Sequence, residues 1–320
     1  MSKPRIVFMG TPDFAVPCLE ALVTAGYPVV MAVTQPDKPV GRKRVLTAPP
    51  VKAFAVAHDI PVLQPEKIKN NPEALDALKA TEADLFVVVA YGKILPQNVL
   101  DIPRHGCINV HASLLPEYRG SAPIQWSIVK GESVTGVTTM VMDAGMDTGD
   151  MLLKAEVDIA LNDTAVSLSE KLSQAGASLL LDTLPGYLSG EVQPTPQDHA
   201  QATSIPLLKK EDGEIHWQQS ATQIYNQIRG FYPWPGTYTF FQDKTLKVIQ
   251  ARLAEHPDAH QGTPGQILAI GHDWIRIRCG EGALELLNVQ LAGSKAMDAG
   301  SFARGQRLEI AQFLGTPILC

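Results

Sequence analysis

Apolar residues follow two different rhythms along this chain, and the switch between them marks its organisation. In the first half, short unbroken apolar runs alternate with stretches of helical spacing. Arg5-Ile-Val-Phe-Met9 predicts a buried strand, and the apolar periodicity from about Ala15 to Ala25 predicts a helix after it. Val29 to Thr34 predicts a second strand. Val51 to His58 and Pro72 to Lys79 predict two more helices, and Leu85-Phe-Val-Val-Val-Ala90 predicts a central strand buried on both faces. Such βαβ punctuation implies an α/β protein with a mostly parallel, doubly wound sheet. Ligands of such sheets bind at the carboxyl ends of the strands.

Farther on, Met151 to Ile159 predicts a strand. Thr164 to Leu188 predicts a long helix with Leu168, Leu172, Leu179 and Leu180 on its apolar side. Gly186, Gly190, Pro194 and Pro196 break that pattern, and Ala200 to Trp217 is polar and linker-like. A short helix from Ser220 to Arg229 precedes the turn Tyr232-Pro-Trp-Pro-Gly236. The rhythm then changes to short strands at Thr237 to Phe241, Thr245 to Ala251, Gln266 to Ile270, Trp274 to Cys279 and Ala283 to Val289. About five such strands separated by turn residues suggest a small β-barrel. The expected division is a first domain at 1–199, a linker at 200–208 and a second domain at 209–320; no internal repeat is evident.

Composition adds outer limits. At 320 residues and 45% hydrophobic content the chain can bury a sizeable core, and two domains are expected. Ile6 to Met9 is too short for a signal peptide and Leu85 to Ala90 too short to span a bilayer, so a soluble protein without a membrane partner is expected. Cys18, Cys107, Cys279 and Cys320 form no CxxC pair. That disfavours a disulfide framework or a bound metal and fits a reducing, cytoplasmic setting.

The net charge of -6 argues against a nucleic-acid partner on average, because phosphate binding draws on Lys and Arg. The average hides an asymmetry. Residues 207–320 carry 11 basic and 11 acidic side chains, leaving 16 and 22 in the acidic front. Inside that front, Lys38, Arg42, Lys43, Arg44 and Lys52 stand against Asp37 alone, a local charge of +4. Four prolines and Gly41 predict a loop there.

Candidate chemistry concentrates in Cys107-Ile-Asn-Val-His-Ala-Ser-Leu-Leu-Pro-Glu-Tyr-Arg-Gly120 and Asp143-Ala-Gly-Met-Asp-Thr-Gly-Asp150. Asn109 and His111 are two apart, so on a strand they share a face and set an amide donor beside an imidazole. Asp147, carried on a glycine-flanked loop, would orient that imidazole for acyl chemistry. Each has a plainer reading. A histidine at a buried strand is often satisfied by core hydrogen bonds, and Asp143 to Gly149 reads equally as a tight hairpin in which both aspartates close Asx turns. Gly10-Thr-Pro-Asp-Phe-Ala15 follows a strand but lacks the spaced glycines of a dinucleotide site, and Pro12 with Asp13 better suits a helix start.

Taken together, Ile108 to Pro116, Arg119-Gly120, Ala122-Pro-Ile-Gln125 and Met142 to Gly149 resemble the folate-dependent formyltransferases. Gly10 to Ala15, Thr34 to Arg42, Val51-Lys52, Ala90-Tyr-Gly92, Ala296-Met297 and Arg304-Gly305 extend the resemblance to members acting on aminoacyl-tRNA, over nearly the whole chain. The resemblance implies a Rossmann-like catalytic domain and a C-terminal OB-like barrel that binds tRNA. It implies formyl transfer from 10-formyltetrahydrofolate to the α-amine of initiator methionyl-tRNA, with tetrahydrofolate released; no metal is expected, and nothing in the sequence demands more than a monomer. On matching positions, Asn109, His111 and Asp147 would be the catalytic trio. Ser113, Leu114, Leu115 and Pro116, the backbone of Val89, Ala90, Tyr91 and Gly92, and Met142 would hold the folate. Lys38, Arg42, Lys43 and Arg44, with Lys209, Lys210 and Lys295, would contact tRNA.

The chain departs from the family at Glu117, where a basic residue is usual, at Ser121, where alanine is usual, and at Ser294, where a second lysine is usual. These alter the charge around the cleft and the C-terminal RNA contacts, not the trio. A folate-dependent enzyme acting on a sugar nucleotide or glycinamide ribonucleotide would share the trio but has no evident use for the basic loop. A nicotinamide dehydrogenase would lack its glycine fingerprint, and a non-enzymatic tRNA-binding protein would leave the trio without a reason.

Overall fold

The computed structural model describes residues 3–41, 44–255 and 262–315. Arg42 and Lys43 of the basic island, and Cys320, lie outside the described residues. The chain forms two compact units, each drawn from separated stretches. One comprises Met1–Pro123, Val134–Asp158 and Ser169–Ile205; the other comprises Ile124–Ser133, Ile159–Leu168 and Pro206–Cys320.

The first unit runs β1 (Ile6–Gly10), α1 (Val16–Thr24), β2 (Val29–Val33), β3 (Lys38–Val40), β4 (Val45–Thr47), α2 (Pro50–Ala57), β5 (Val62–Leu63), α3 (Pro72–Ala80), β6 (Leu85–Val89), α4 (Gln97–Leu100), β7 (Cys107–His111) and β8 (Arg119–Gly120). After α5 (Pro123–Lys130), most of which belongs to the second unit, come β9 (Val134–Val141), β10 (Met151–Asp158), α6 (Ala165–Ser189) and β11 (Ser204–Ile205). Seven strands make one sheet in the order β10-β9-β7-β6-β1-β2-β5. From β5 to β7 the neighbours are parallel, while β9 and β10 close the other side antiparallel.

Strand parity decides what each face of this sheet buries. Ile6, Phe8, Val87, Val89, Ile108 and Val110 pack on Leu19 and Leu22 of α1 and on Leu180 and Leu184 of α6. The alternate residues Val7, Met9, Phe86, Val88 and Cys107 pack on Leu78 of α3 and Val99 and Leu100 of α4. Fully burying each large apolar side chain contributes about 1.5–3 kcal/mol, which is why both faces of these strands are apolar. Asn109 and His111 share the parity of Cys107 and continue its face to the carboxyl end of β7.

Some elements were not foreseen. β9, Val134-Thr-Gly-Val-Thr-Thr-Met-Val141, escapes a hydrophobic scan because threonines occupy buried positions, where their hydroxyls find partners. Thr138 Oγ1 donates to Ser113 O at 2.7 Å, and Thr139 Oγ1 lies 2.9 Å from Thr183 Oγ1. The basic island, expected to be a loop, contains a hairpin in which Lys38 pairs Thr47 and Pro39 pairs Leu46, with Gly41 left-handed (φ 71°) at its tip. Pro39 is tolerated because a two-stranded ribbon is all edge. Asp13 begins a single 3₁₀ turn, Asp13–Ala15, ahead of α1. Ser204 and Ile205, inside the expected linker, pair in parallel with Arg119 and Gly120.

The second unit contains α7 (Ala221–Gly230), β12 (Thr237–Phe241), β13 (Lys244–Leu253), β14 (Ile267–Ile270), β15 (Ile275–Arg278), β16 (Ala283–Leu291), β17 (Met297–Asp298) and α8 (Ala299–Gln306). Its antiparallel sheet runs β12-β13-β16-β15-β14, with β17 on β16. Leu246, Val248, Ile277, Leu284 and Leu286 form its core with Ile224 and Ile228 of α7 and Phe302 of α8. A capping box between Ser220 and Gln223 starts α7. The buried Arg229 explains why 159–168 joins this unit, since its guanidinium donates to Ala160 O at 3.3 Å and Asp163 O at 3.1 Å. Helix α8 is glycine-rich and weakly helical by propensity, yet a Cβ at Gly300 would collide with the His272 carbonyl, so packing selects glycine there. Among the described residues no helix is long and apolar enough to cross a membrane.

Candidate active site

His111 ends β7 opposite Thr138 of β9 and is 6% exposed. Its Nε2 lies 3.1 Å from the Tyr118 carbonyl oxygen, and its Nδ1 lies 3.6 Å from Asp147 Oδ1. Each ring nitrogen therefore faces an acceptor. A ring so placed has a partner for a proton at either nitrogen, which suits a group that passes protons.

Asp147 comes from the β9–β10 connection and is held in the left-handed region (φ 55°), uncommon for a residue with a Cβ. Three bonds hold it there. Gly120 N donates to its Oδ2 at 2.9 Å, and the Gln197 amide nitrogen donates to the carbonyls of Asp147 at 2.9 Å and Gly149 at 2.7 Å. The competing hairpin reading holds for Asp143, not for Asp147. Asp143 Oδ1 accepts from Gly145 N at 3.0 Å and from Thr148 Oγ1 at 2.7 Å, closing the turn by itself. Asp147 is thereby left to face His111.

Asn109 stands between Val88 of β6 and Met140 of β9 and is 8% exposed. Among the described residues its side-chain amide has no hydrogen-bond partner, nor is it among the sealed, unpaired polar atoms. An amide that is nearly buried, unpaired and still reachable is a donor available to a ligand.

The turn after His111 is pinned from inside. Thr138 Oγ1 accepts from Leu115 N at 3.1 Å, Ser113 Oγ donates to Glu117 O at 2.6 Å, Lys154 Nζ donates to Leu115 O, and the Leu115–Pro116 peptide is cis. The side chains of Ser113 and Leu115 are sealed, whereas Leu114 and Pro116 keep partial exposure. Across the β6–β7 register, Ala90 (φ 47°) and Gly92 (φ 78°) turn the chain past the end of β6. Tyr91 O between them accepts from Thr11 Oγ1 at 3.1 Å and Gln35 Nε2 at 3.0 Å. Val89 is fully buried, Ala90 is exposed, and the half-buried Met142 packs beside the core cluster that includes Cys107 and bonds Cys107 O through its own N–H at 2.8 Å.

Of the basic candidates, Lys38 and Arg44 are exposed on the β3–β4 hairpin, while Lys52 is tied to Asp37 at 2.8 Å. Hydrogen bonds from Lys52 and Gln64 hold the Asp37 carboxyl below its usual range. Lys209, Lys210 and Lys295 are exposed on the second unit. Burial pushes the thiols of Cys18, Cys107 and Cys279 up to about 12, so they stay protonated and unreactive at neutral pH.

Residues outside the expected set complete the site. Arg119, 8% exposed, donates from Nε and Nη2 to Gln197 Oε1 at 3.0 and 2.7 Å, and His199 Nδ1 accepts from its guanidinium at 3.2 Å. Arg119 was visible as part of a motif without a role. Gln197 gave no signal at all, because it lies in a proline-broken polar stretch that no periodicity marks.

Residues 4–184 match the formyl transferase family, and residues 207–307 match the formyl transferase C-terminal domain. The chain is 49% identical over 315 residues to the methionyl-tRNA formyltransferase of Geobacter sulfurreducens, covering 98% of each chain. It is 51% identical over 310 residues to that of Koribacter versatilis, covering 97% of this chain and 98% of the relative. In fold it resembles the N-formyltransferase of Helicobacter canadensis, with a TM-score of 0.65 at 17% identity over 89% of this chain and 99% of the other.

Proposed function

This chain belongs to the formyl transferase family, and from that premise we propose that it moves the formyl group of 10-formyltetrahydrofolate onto the α-amine of initiator methionyl-tRNA. One observation supports this most directly: the unpaired Asn109 amide stands two residues from a histidine that faces a carboxylate, at the carboxyl end of a parallel strand. The full-length relatives bear the name of this activity. The site suits a folate-borne acyl group, since it offers a free donor, a proton-handling pair and a left-handed backbone turn at Ala90 to Gly92.

Bound 10-formyltetrahydrofolate would supply an activated formyl carbon. The neutral α-amine of the methionyl group attacks that carbon, forming a new C–N bond, and the bond from the formyl carbon to the donor nitrogen breaks. Negative charge gathers on the formyl oxygen as this happens. The Asn109 amide donates to that oxygen, joined by His111 Nε2–H as it exchanges the Tyr118 carbonyl for the formyl oxygen while Nδ1 stays toward Asp147; one such donor is worth about 2.7–4 kcal/mol of barrier. Asp147 holds the ring and passes the proton lost by the amine toward the departing donor nitrogen, which leaves as a neutral N–H of tetrahydrofolate.

In this reading residues 1–199 form the catalytic domain and residues 209–320 an OB-like tRNA-binding domain, joined at 200–208, in a cytoplasmic monomer. The exposed Lys38 and Arg44, with Arg42 and Lys43, reach tRNA phosphates, and Lys209, Lys210 and Lys295 add contacts from the second domain. The test is direct. Purified protein is incubated with labelled 10-formyltetrahydrofolate and, in separate arms, with charged initiator methionyl-tRNA, glycinamide ribonucleotide and an amino-sugar nucleotide. Label is expected on the tRNA alone; label on a small amine and not on tRNA would overturn the reading.

A further inference from the structure

Asp147 can serve His111 only while its loop keeps an unusual shape. The residue is left-handed (φ 55°) without being glycine, and the carboxylate reaches His111 from that conformation. A side chain distant in sequence bridges the loop. The Gln197 amide nitrogen donates to the Asp147 carbonyl at 2.9 Å and to the Gly149 carbonyl at 2.7 Å, using both of its protons. Gln197 itself is 5% exposed.

The orientation of that amide is also determined. Gln197 Oε1 accepts two bonds from the buried Arg119, at 3.0 Å from Nε and 2.7 Å from Nη2, so a flip that exchanged oxygen and nitrogen would set donor against donor. The backbone of the adjacent Gly120 donates to the Asp147 carboxylate at 2.9 Å. Arg119-Gly120 thus holds Asp147 twice, directly through the Gly120 N–H and indirectly through Gln197. Gly120 (φ 121°) also lets β11 lie close, because a Cβ there would lie 2.7 Å from the Ile205 carbonyl oxygen. Every polar atom of the Gln197 side chain is turned toward the loop or toward Arg119.

We propose that Gln197 is a positioning residue for the formyl transfer, setting the Asp147 loop against His111, with Arg119 fixing its amide; this rests on the proposed function above. Gln197→Glu keeps the shape and the Arg119 partner but puts an acceptor against two carbonyls, and Gln197→Ala removes the bridge outright. Formylation of charged methionyl-tRNA is measured for both, alone and combined with Asp147→Ala, together with thermal unfolding and the nitrogen signals of the His111 ring. Because a misplacement of about 1 Å can cost about 100-fold, kcat is expected to fall by up to that factor with KM little changed. Residues acting through one another are non-additive, so either substitution should add less than about threefold in the Asp147→Ala background. The His111 signals should move toward those of Asp147→Ala.

Turnover like the wild type, or an undiminished loss in the Asp147→Ala background, overturns the proposal. Loss of folding by both variants, with cooperative unfolding absent, likewise assigns Gln197 to stability and overturns it. A wild type that formylates no charged tRNA removes the proposed function instead, whereas an active wild type with indifferent Gln197 variants removes only the positioning role.

Discussion

Replacing Asn109 by alanine separates catalysis from folding more cleanly than any other change in the site. The amide has no protein partner among the described residues, so its removal orphans nothing. The stability cost should stay below about 1 kcal/mol, in contrast to the larger loss when a buried partner is left unpaired. The catalytic cost is different in kind. If the amide donates to the oxygen that gains charge, its loss removes about 2.7–4 kcal/mol, or roughly 10²–10³ in kcat. KM should change little, because the interaction strengthens only as charge develops.

Asparagine to aspartate then tests the sign. The shape is kept, but a carboxylate at about 3.5 Å from the developing oxyanion adds repulsion of about 4–5 kcal/mol at an effective dielectric constant near 20. Asn109→Asp should therefore be slower than Asn109→Ala by up to about three further orders of magnitude. Both variants are assayed for formylation of charged methionyl-tRNA under saturating substrates and for denaturant midpoint. An aspartate variant no slower than the alanine variant would refute the argument, as would an alanine variant with near-normal kcat. Equal loss of stability and activity would assign the amide a structural role.

Two further outcomes are expected. Replacing Lys38, Arg42, Lys43 and Arg44 by alanine should weaken tRNA binding and flatten its salt dependence by about 0.9 per lost phosphate contact, and an unchanged log–log slope would make the hairpin a solvated turn. In the second unit, burial of Glu285 raises its carboxyl, but hydrogen bonds from Arg276 and Arg252 and their charges prevail and hold it below the usual range. A carboxyl lowered in the folded state contributes stability that is present above the unfolded value near ~4.3 and is lost as pH falls through the folded value. Glu285→Gln should cost about 1–3 kcal/mol at neutral pH and remove that part of the acid sensitivity, read from denaturation midpoints at pH 7 and pH 3.5. An acid response parallel to the wild type would refute the assignment.

Several strands of the first unit were legible because their signal is local. β1 and β6 follow from unbroken apolar runs, the parity of Asn109 and His111 from the two-residue repeat of a strand, and α7 starts at a capping box within four residues. β9 was hidden, since buried threonines satisfied by distant partners look polar in a scan that counts apolar side chains. Helices α5 and α8 were hidden for a related reason: their apolar contacts and glycine clearances exist only against elements far away in sequence.

The candidate site divides along the same line. By itself the sequence placed the imidazole and the amide on one strand face, ended that strand in a proline turn, and supplied a second acidic loop. It left open whether Asp147 reaches the histidine or closes an Asx turn together with Asp143. Tertiary structure decided this, because Asp143 is satisfied within its own loop while Asp147 meets Gly120 and His111 across 27 and 36 residues, respectively. Gln197, 78 residues from Arg119, could be assigned only there as well. Side-chain parity is a property of neighbours in the chain, whereas a hydrogen-bond partner is a property of neighbours in space.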